Sequence, residues 1–401
     1  MNGRKDGMMK ILLVNHFPLE GSGSGIYTKN LANILTEQGH KVCVIYPEIE
    51  KGSKQKFDTK EIYFNGFSKD GLKYNFPCFT SHPRSNNTFY SLNESEIEEY
   101  VEIFCKIVKE TADKFKPDII HAQHLWITPY AALKSGYPYV ITAHGTDLKG
   151  FIKDDRYHKY ALEGAKNARN IITISKQVDK DTKKLFKLDN SKTTLILNGY
   201  DTNVFYKKEI NKVNVLNKYE IGGNYNHIVM FVGKLTHFKG VDVLLKAARI
   251  YENNLSNVLT MIAGNGELYN ELNILKKKLN LRNVYFLGHI SQEELIDLYN
   301  IADVSTIPSR KEPFGLVAIE ALACGTPVVA TNQGGLPDFI TKEVGYLVDV
   351  DDDIDLANGI VKTLLEKRKL KDGLQIEKFA KDKFSLENSI RQIVDIYKSQ
   401  G

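Results

Sequence analysis

The hydrophobic positions fall into short apolar runs separated by longer amphipathic stretches, and the alternation occurs twice along the chain. In the first half the runs are "KILLVNHF" (10–17), "KVCVIYP" (41–47), "DIIHAQ" (118–123), "YVITAHG" (139–145), "NIITIS" (170–175) and "TTLILNG" (193–199). Short runs of this kind, bounded by turn residues, predict buried strands. Between them, residues 25–38 set Tyr27, Leu31, Ile34 and Leu35 on one helical face. The second half repeats the scheme with "HIVMFVG" (227–233), "NVLTMIAGNG" (257–266), "NVYFLG" (283–288), "DVSTIP" (303–308), "PVVATN" (327–332) and "GYLVDV" (345–350), and with helical spacing over 241–252 and 353–367. Strand–helix alternation predicts parallel sheets wrapped by helices. The polar stretch 206–226, with Gly222-Gly223, is read as the linker. The expected architecture is therefore α/β: two Rossmann-like, doubly wound domains facing a central cleft, one over 1–205 and one over 227–384. Residues 48–100 look too polar for core elements and are read as an elaborated loop region.

A chain of 401 residues exceeds what one core usually supports, which agrees with two domains. No apolar run is long enough to span a bilayer, and the N-terminal run lacks a small-residue cleavage site, so the expectation is a cytoplasmic protein. Four cysteines without a Cys-x-x-Cys pair suggest neither a zinc site nor a disulfide framework. The net charge of +5 falls entirely in residues 1–205, which hold 29 Lys+Arg and 24 Asp+Glu. That excess suits an anionic acceptor or peripheral contact with a membrane surface, or is an ordinary solvated face. Nothing suggests a nucleic-acid partner, and the oligomeric state is not encoded in any pattern.

Candidate chemistry gathers at predicted strand ends. "EGSGSGIYTKN" follows the first strand and opens a helix; Gly21, Gly23 and Gly25 let backbone N–H groups approach a phosphate closely, although a flexible turn reads the same way. In "FVGKLTHFKG", Lys234 and Lys239 could neutralise a diphosphate. In "SRKEPFGLVAIEALACGTPVVATNQGG" (309–335), Glu312 sits in a loop where a carboxylate can accept hydrogen bonds from sugar hydroxyls. Phe314, Gly315, Leu316 and Val317 open a helix with free N–H groups. Glu320, eight residues on, is expected on the same side and able to grip a second diol. The acidic run "VDVDDDID" (348–355), with Asp349, Asp351, Asp352 and Asp353, invites a metal but reads better as a helix cap.

"EPFGLVAIE", followed by "EALACGTPVVAT" and "GGLPDFI", resembles the retaining nucleotide-sugar glycosyltransferases of the family-4 type, which have the GT-B fold of two Rossmann-like domains. The likeness spans nearly the whole chain, through "GSGSGIYTKNLANILTEQGHKV", "VITAHGTDL", "ILNGYDTNVF" and "FVGKLTHFKG". "FSLENSIRQIVDIY" (384–397) resembles the family's terminal helix, so residues 385–401 are expected to return to the first domain. The resemblance implies a metal-independent transfer without cofactor, in which His144, Lys239 and Glu312 are catalytic. Gly23 and Gly25 would border the donor diphosphate, and Lys234 and Lys239 would hold it. His144 would reach the sugar near its 6-position and stabilise developing charge. Glu312 would bind sugar hydroxyls with the backbone of Phe314 and Gly315, while Leu316 and Val317 lend amides to phosphates. Glu320 would bind the ribose and Asn198 would line the cleft. Gly264, Gly266, Gly288, His289 and Ile290 would border the base. The family usually carries arginine where this chain has Lys234, and a point charge is less directional than a guanidinium fork.

A hexose-type UDP-sugar is the default donor, with GDP and ADP sugars open. For the acceptor, "CFTSHPRSNNTFY" (78–90) offers Arg84 as a bidentate cation and Phe79, Phe89 or Tyr90 as ring covers, next to His124 and Trp126 in "HAQHLW". A polar small molecule or glycan, anionic in one version, fits that loop. The rival is a lipid acceptor met through the basic run 174–187. Two other functions share the fold pattern: a nucleotide-sugar epimerase and a non-catalytic sugar- or nucleotide-binding protein.

Overall fold

The computed structural model describes residues 7–80 and 82–400. The chain divides into two compact units, Met1–Leu197 with Ile390–Gly401, and Asn198–Ser389. Among the described residues no helix is long and apolar enough to cross a membrane.

The first unit holds seven strands: β1 (Lys10–Val14), β2 (Lys41–Glu48), β3 (Asp58–Tyr63), β4 (Ile119–Gln123), β5 (Tyr139–Ala143), β6 (Asn170–Thr173) and β7 (Thr193–Leu195). They pair in the order β3-β2-β1-β4-β5-β6-β7, and every pairing is parallel. β1, β4, β5 and β6 are buried almost throughout, as both-face coverage by helices requires. β3 lies in the stretch read as irregular loop. Its sequence "DTKEIY" buries only Ile62, because an edge strand needs no apolar run. The rest of 48–100 also contributes to the core: Phe64, Phe76, Phe79 and Phe89 are buried, and the helix Glu94–Phe115 begins within it.

The second unit holds β8 (His227–Val232), β9 (Val258–Ala263), β10 (Val284–Gly288), β11 (Val304–Ile307), β12 (Val328–Thr331) and β13 (Gly345–Val348), in the order β10-β9-β8-β11-β12-β13. One face is covered by the helices Val241–Asn254 and Asp353–Leu365, whose Leu244, Leu245, Ala248, Tyr251, Leu356 and Ile360 join Val229, Phe231, Val304 and Val329 in a single core. Each such aliphatic side chain contributes about 1.5–3 kcal/mol of burial.

Residues 206–226, read as a linker, belong to this second unit. They form the helix Lys212–Lys218, which buries Val215 and Leu216. Asn300 ties the segment down, donating to the Tyr206 carbonyl at 3.0 Å and accepting from the Lys208 amide at 2.8 Å. A polar stretch docks here through a few apolar side chains, Val215, Leu216, Ile221 and Tyr225, while Val213 stays exposed. The division between units falls instead at Leu197/Asn198 and again at Ser389/Ile390, inside the terminal helix Leu386–Gln400. Within the first unit, that helix meets β4 through Tyr397, whose hydroxyl lies 2.6 Å from His121 Nδ1. His121 also lies 2.7 Å from the Thr142 hydroxyl, so it is a packed and satisfied core histidine.

Candidate active site

In each sheet the strand order reverses once, between β1 and β4 and between β8 and β11. Loops leaving the two strands on either side of a reversal diverge and leave room for a ligand. In the second unit these loops carry Lys239 and Glu312. Lys239 Nζ stands 2.5 Å from Glu312 Oε2, with side chains 28 % and 9 % exposed. Two residues far apart in sequence are thus brought into one ion pair at the strand ends. Gly240 is required beside them: its φ is +66°, and an added Cβ would lie 2.0 Å from the Pro308 carbonyl oxygen.

Glu312 does not belong to the helix that follows. The helix spans Leu316–Ala323 and begins at Gly315, whose φ of +102° breaks the chain direction. The expected eight-residue helical relation between Glu312 and Glu320 therefore does not exist; Glu320 instead lies one turn beyond Leu316. No side chain caps this helix, so the amides of Leu316 and Val317 face outward at its positive end. Phe314 is buried against Phe339, with ring centroids 5.7 Å apart. Glu320 keeps part of its surface open yet sits deep among protein atoms. Desolvation raises its pKa to about 7, opposed by a 3.3 Å hydrogen bond from the Tyr299 hydroxyl.

Lys234 is exposed at the exit of β8, and His289 is exposed after β10, next to buried Ile290. Gly264 and Gly266 have a packing role: an added Cβ would lie 1.8 Å from the Gly233 oxygen and 2.4 Å from the Leu235 oxygen. These glycines let the loops after β8 and β9 lie against each other. Asn198 is buried at the first position of the second unit rather than at the end of the first.

In the first unit, the helix Gly23–Glu37 starts at Ser22, whose hydroxyl accepts from the Gly25 amide at 3.0 Å. Of the three glycine amides expected to approach a phosphate, that of Gly25 is thus already occupied. Gly25 is also pressed against Pro18, whereas Gly23 is open. His144 follows β5. Its Nε2 is 2.9 Å from Gln123 Oε1, and its ring meets those of Tyr27 and His124 at 5.3 and 4.6 Å. Burial lowers its pKa to about 3, so the imidazole is neutral near pH 7 and cannot supply a counter-charge. Asp147, fully buried, joins the loops after β4 and β5: its Oδ2 accepts from the amides of Leu125 at 2.7 Å and His144 at 3.4 Å.

The acceptor residues are arranged differently from the expectation. Arg84 is not a free cation; it makes a two-pronged pair with Glu48 at 2.9 and 3.1 Å, with Glu50 at 3.7 Å. Trp126 is fully buried and stacked on Tyr157 at 4.3 Å, so it presents no face to a ligand. His124 is 1 % exposed, and its φ is +71°. Tyr90 is half-buried, with Lys153 Nζ 3.8 Å from its ring centre. The aromatic richness of 78–90 serves an internal cluster of Phe79, Phe89, Trp126 and Tyr157.

The acidic run is structurally occupied. Asp352 caps the helix Asp353–Leu365 by accepting from Ile354 and Asp355, the Asp349 amide donates to Asp355, and Asp351 pairs with Arg310. Among the described residues, no three His, Cys, Asp or Glu side chains gather as a metal-binding group. Sequence reasoning gives no individual role to Gln123 or Tyr299; Asp147 lies in the "VITAHGTDL" stretch, and Arg310 stands in "SRKE", two residues before Glu312.

Comparison with known proteins agrees with this geometry. Residues 214–381 match the family described as Glycosyl transferases group 1, and residues 21–204 match Glycosyltransferase Family 4. An uncharacterized glycosyltransferase of Methanocaldococcus jannaschii is 30% identical over 97% of this chain and 98% of its own length. The N-acetyl-alpha-D-glucosaminyl L-malate synthase of Bacillus anthracis is 25% identical over 94% and 93%. Among solved structures, Anabaena Alr3699/HepE in complex with UDP and glucose superimposes with a TM-score of 0.74 at 20% identity, over 98% of this chain and all of the other. Two parallel Rossmann-like sheets, a charged pair at the reversal of the second, and a relative aligned from end to end assign this chain to the group 1 glycosyl transferases, with the GT-B fold.

Proposed function

We propose that the protein moves a hexose-type sugar from a nucleoside-diphosphate sugar to a polar acceptor, with retained anomeric configuration and without a divalent metal. The observation that carries this reading is the Lys239–Glu312 pair beside the uncapped N-terminus of the helix Leu316–Ala323. A donor of this class joins a diphosphate to a polyhydroxylated ring. The ammonium and the outward amides suit the first, and the carboxylate suits the second.

In this reading Lys239, with Lys234 and the amides of Leu316 and Val317, takes up the charge that grows on the leaving diphosphate. Glu312 accepts from sugar hydroxyls, supported by the backbone of Phe314 and Gly315. Glu320, once ionised, holds the ribose. Gly23, Asn198, Gly264, Gly266, His289 and Ile290 keep the donor-lining roles that the resemblance gives them. His144, neutral, acts through hydrogen bonding to a sugar hydroxyl. UDP is the favoured nucleotide, supported by the neighbour whose structures contain UDP and UDP-glucose. Retention rests on the family resemblance of the Glu312–Glu320 segment. Metal independence is supported by Lys239, held by Glu312 at the donor site, and by the partners already held by Asp351 and Asp352.

The test is incubation with UDP-, GDP- and ADP-hexoses, with and without acceptors, following nucleotide release and the anomeric configuration of the product by NMR. The expected result is acceptor-dependent release, best with a UDP-sugar, unaffected by chelator. An inverted product, or activity abolished by chelator and restored by a divalent ion, would sink the respective part of the reading.

A further inference from the structure

Arg310 takes no part in the chemistry above, yet it is among the most heavily engaged side chains at the sheet edge. Its guanidinium makes a bidentate pair with Asp242, Nη1 to Oδ1 at 2.9 Å and Nη2 to Oδ2 at 2.8 Å. Nη1 also donates to the His237 carbonyl at 2.7 Å, and Nε donates to Asp351 Oδ1 at 2.5 Å. The backbone follows suit, since the amides of Arg310 and Lys311 both donate to the Phe238 carbonyl, at 2.8 and 3.3 Å. The Arg310 side chain is only 14 % exposed. From the loop after β11, Arg310 therefore reaches two other segments: the loop after β8 with the first turn of its helix, and the loop after β13.

We propose that Arg310 is a positioning residue of the donor site, clamping the loop that bears Lys239 to the loop that bears Glu312. The inference rests on the donor-site reading of that pair. Lys239 lies between two of the clamp's attachment points, His237 and Asp242, and Glu312 lies two residues beyond the clamp itself. Both loops are thus pinned close to their functional groups. An arginine is needed because one planar fork can satisfy Asp242 and still reach a carbonyl and a second carboxylate; an ammonium group has neither the span nor the geometry. The two carboxylates also neutralise the guanidinium, so it does not compete with Lys239 for anions. Misplacement of a reacting or binding group by about 1 Å can cost on the order of a hundredfold in rate.

The experiment compares Arg310→Met, Arg310→Lys, Asp242→Asn and Asp351→Asn for donor KM, acceptor KM, kcat and Tm, assayed well below every Tm. Arg310→Met is expected to raise donor KM and lower kcat, together by about tenfold to a hundredfold in kcat/KM, with acceptor KM unchanged. Arg310→Lys should recover only part of the loss. Asp242→Asn, which leaves the guanidinium in place, should move donor KM in the same direction. Asp351→Asn should do so more weakly; Asp351 is 55 % exposed, so this variant tests the clamp without threatening the fold. Wild-type donor KM and kcat in Arg310→Met would overturn the proposal. So would damage in Arg310→Met with none in Asp242→Asn and Asp351→Asn, which would make Arg310 a direct ligand contact. If Lys239→Ala and Glu312→Ala also leave donor KM and kcat untouched, the donor-site reading has failed, and the clamp falls with it.

Discussion

Replacing Lys239 by alanine perturbs two things at once, and they can be measured apart. The first is stability. Lys239 neutralises Glu312, whose side chain is 9 % exposed, while the lysine keeps 28 % of its own surface in solvent. Exposed pairs contribute under about 1 kcal/mol, whereas removing one partner of a buried pair costs about 3–5 kcal/mol. An intermediate pair should fall between, at about 1–3 kcal/mol, because the carboxylate is left partly stranded. Glu312→Gln removes that stranded charge, so the double variant should be more stable than the two single losses added together. A coupling of about 1–2 kcal/mol is expected in a double-mutant cycle. For a unit of this size each kcal/mol shifts Tm by roughly 2–4 °C, well within the reach of calorimetry.

The second effect is catalytic. A fixed cation facing charge that develops in the transition state behaves like an oxyanion donor, and its loss should cost about 2.7–4 kcal/mol, a hundredfold to a thousandfold in kcat. Glu320→Ala should cost less turnover, since a ribose is unchanged as the bond breaks. The assay is nucleotide release at saturating donor, with Tm measured on the same samples. Turnover within a factor of two of wild type in Lys239→Ala would refute the leaving-group role. Strict additivity in the stability cycle would refute the pairing.

Three further outcomes follow from the geometry. Glu320 has its pKa raised to about 7 by desolvation, so the folded protein holds a proton there that the unfolded chain releases near 4.5; its contribution to stability is present at acid pH and lost as pH rises through about 7. Glu320→Gln should therefore gain stability relative to wild type at pH 8 but not at pH 4.5, and wild-type donor KM should rise below pH 7 as the ribose-binding carboxylate is protonated; a pH-independent difference in Tm would contradict the burial argument. Arg84→Ala should lower stability by about 1–3 kcal/mol, because Glu48 loses its bidentate partner, and should leave acceptor KM unchanged. A raised acceptor KM with unchanged Tm would restore the acceptor role. His144, with its pKa near 3, should produce no limb in the pH–rate profile between pH 5 and 8; loss of such a limb in His144→Asn would show the imidazole titrating there.

Periodicity carried the architecture almost completely. All twelve apolar runs became parallel strands; the central ones are apolar along their length because both faces are covered, while the edge strands β7 and β10 are only partly buried. β3 escaped for the converse reason: at an edge, one buried side chain, Ile62, suffices. The polar 206–226 segment was misplaced because docking depends on which few positions face inward, a property of the partner surface as much as of the segment. Lys239 and Glu312 could be placed at strand exits because each follows an apolar run, whereas Glu320 lies inside the helix Leu316–Ala323 and its expected relation to Glu312 did not hold.

Other features depended on long-range proximity. The ion pair joining Lys239 to Glu312 spans 73 residues, and the contact of Arg310 with Asp242 spans 68. Local sequence does not encode such distances; they follow from adjacent strand order in a sheet that reverses. Burial acts the same way. Arg84 and Trp126 have the composition of ligand-binding residues, and only their surroundings show one paired with Glu48 and the other stacked on Tyr157. The neutrality of His144 and the raised pKa of Glu320 likewise come from desolvation, a sum over neighbours that the chain assembles only when it folds.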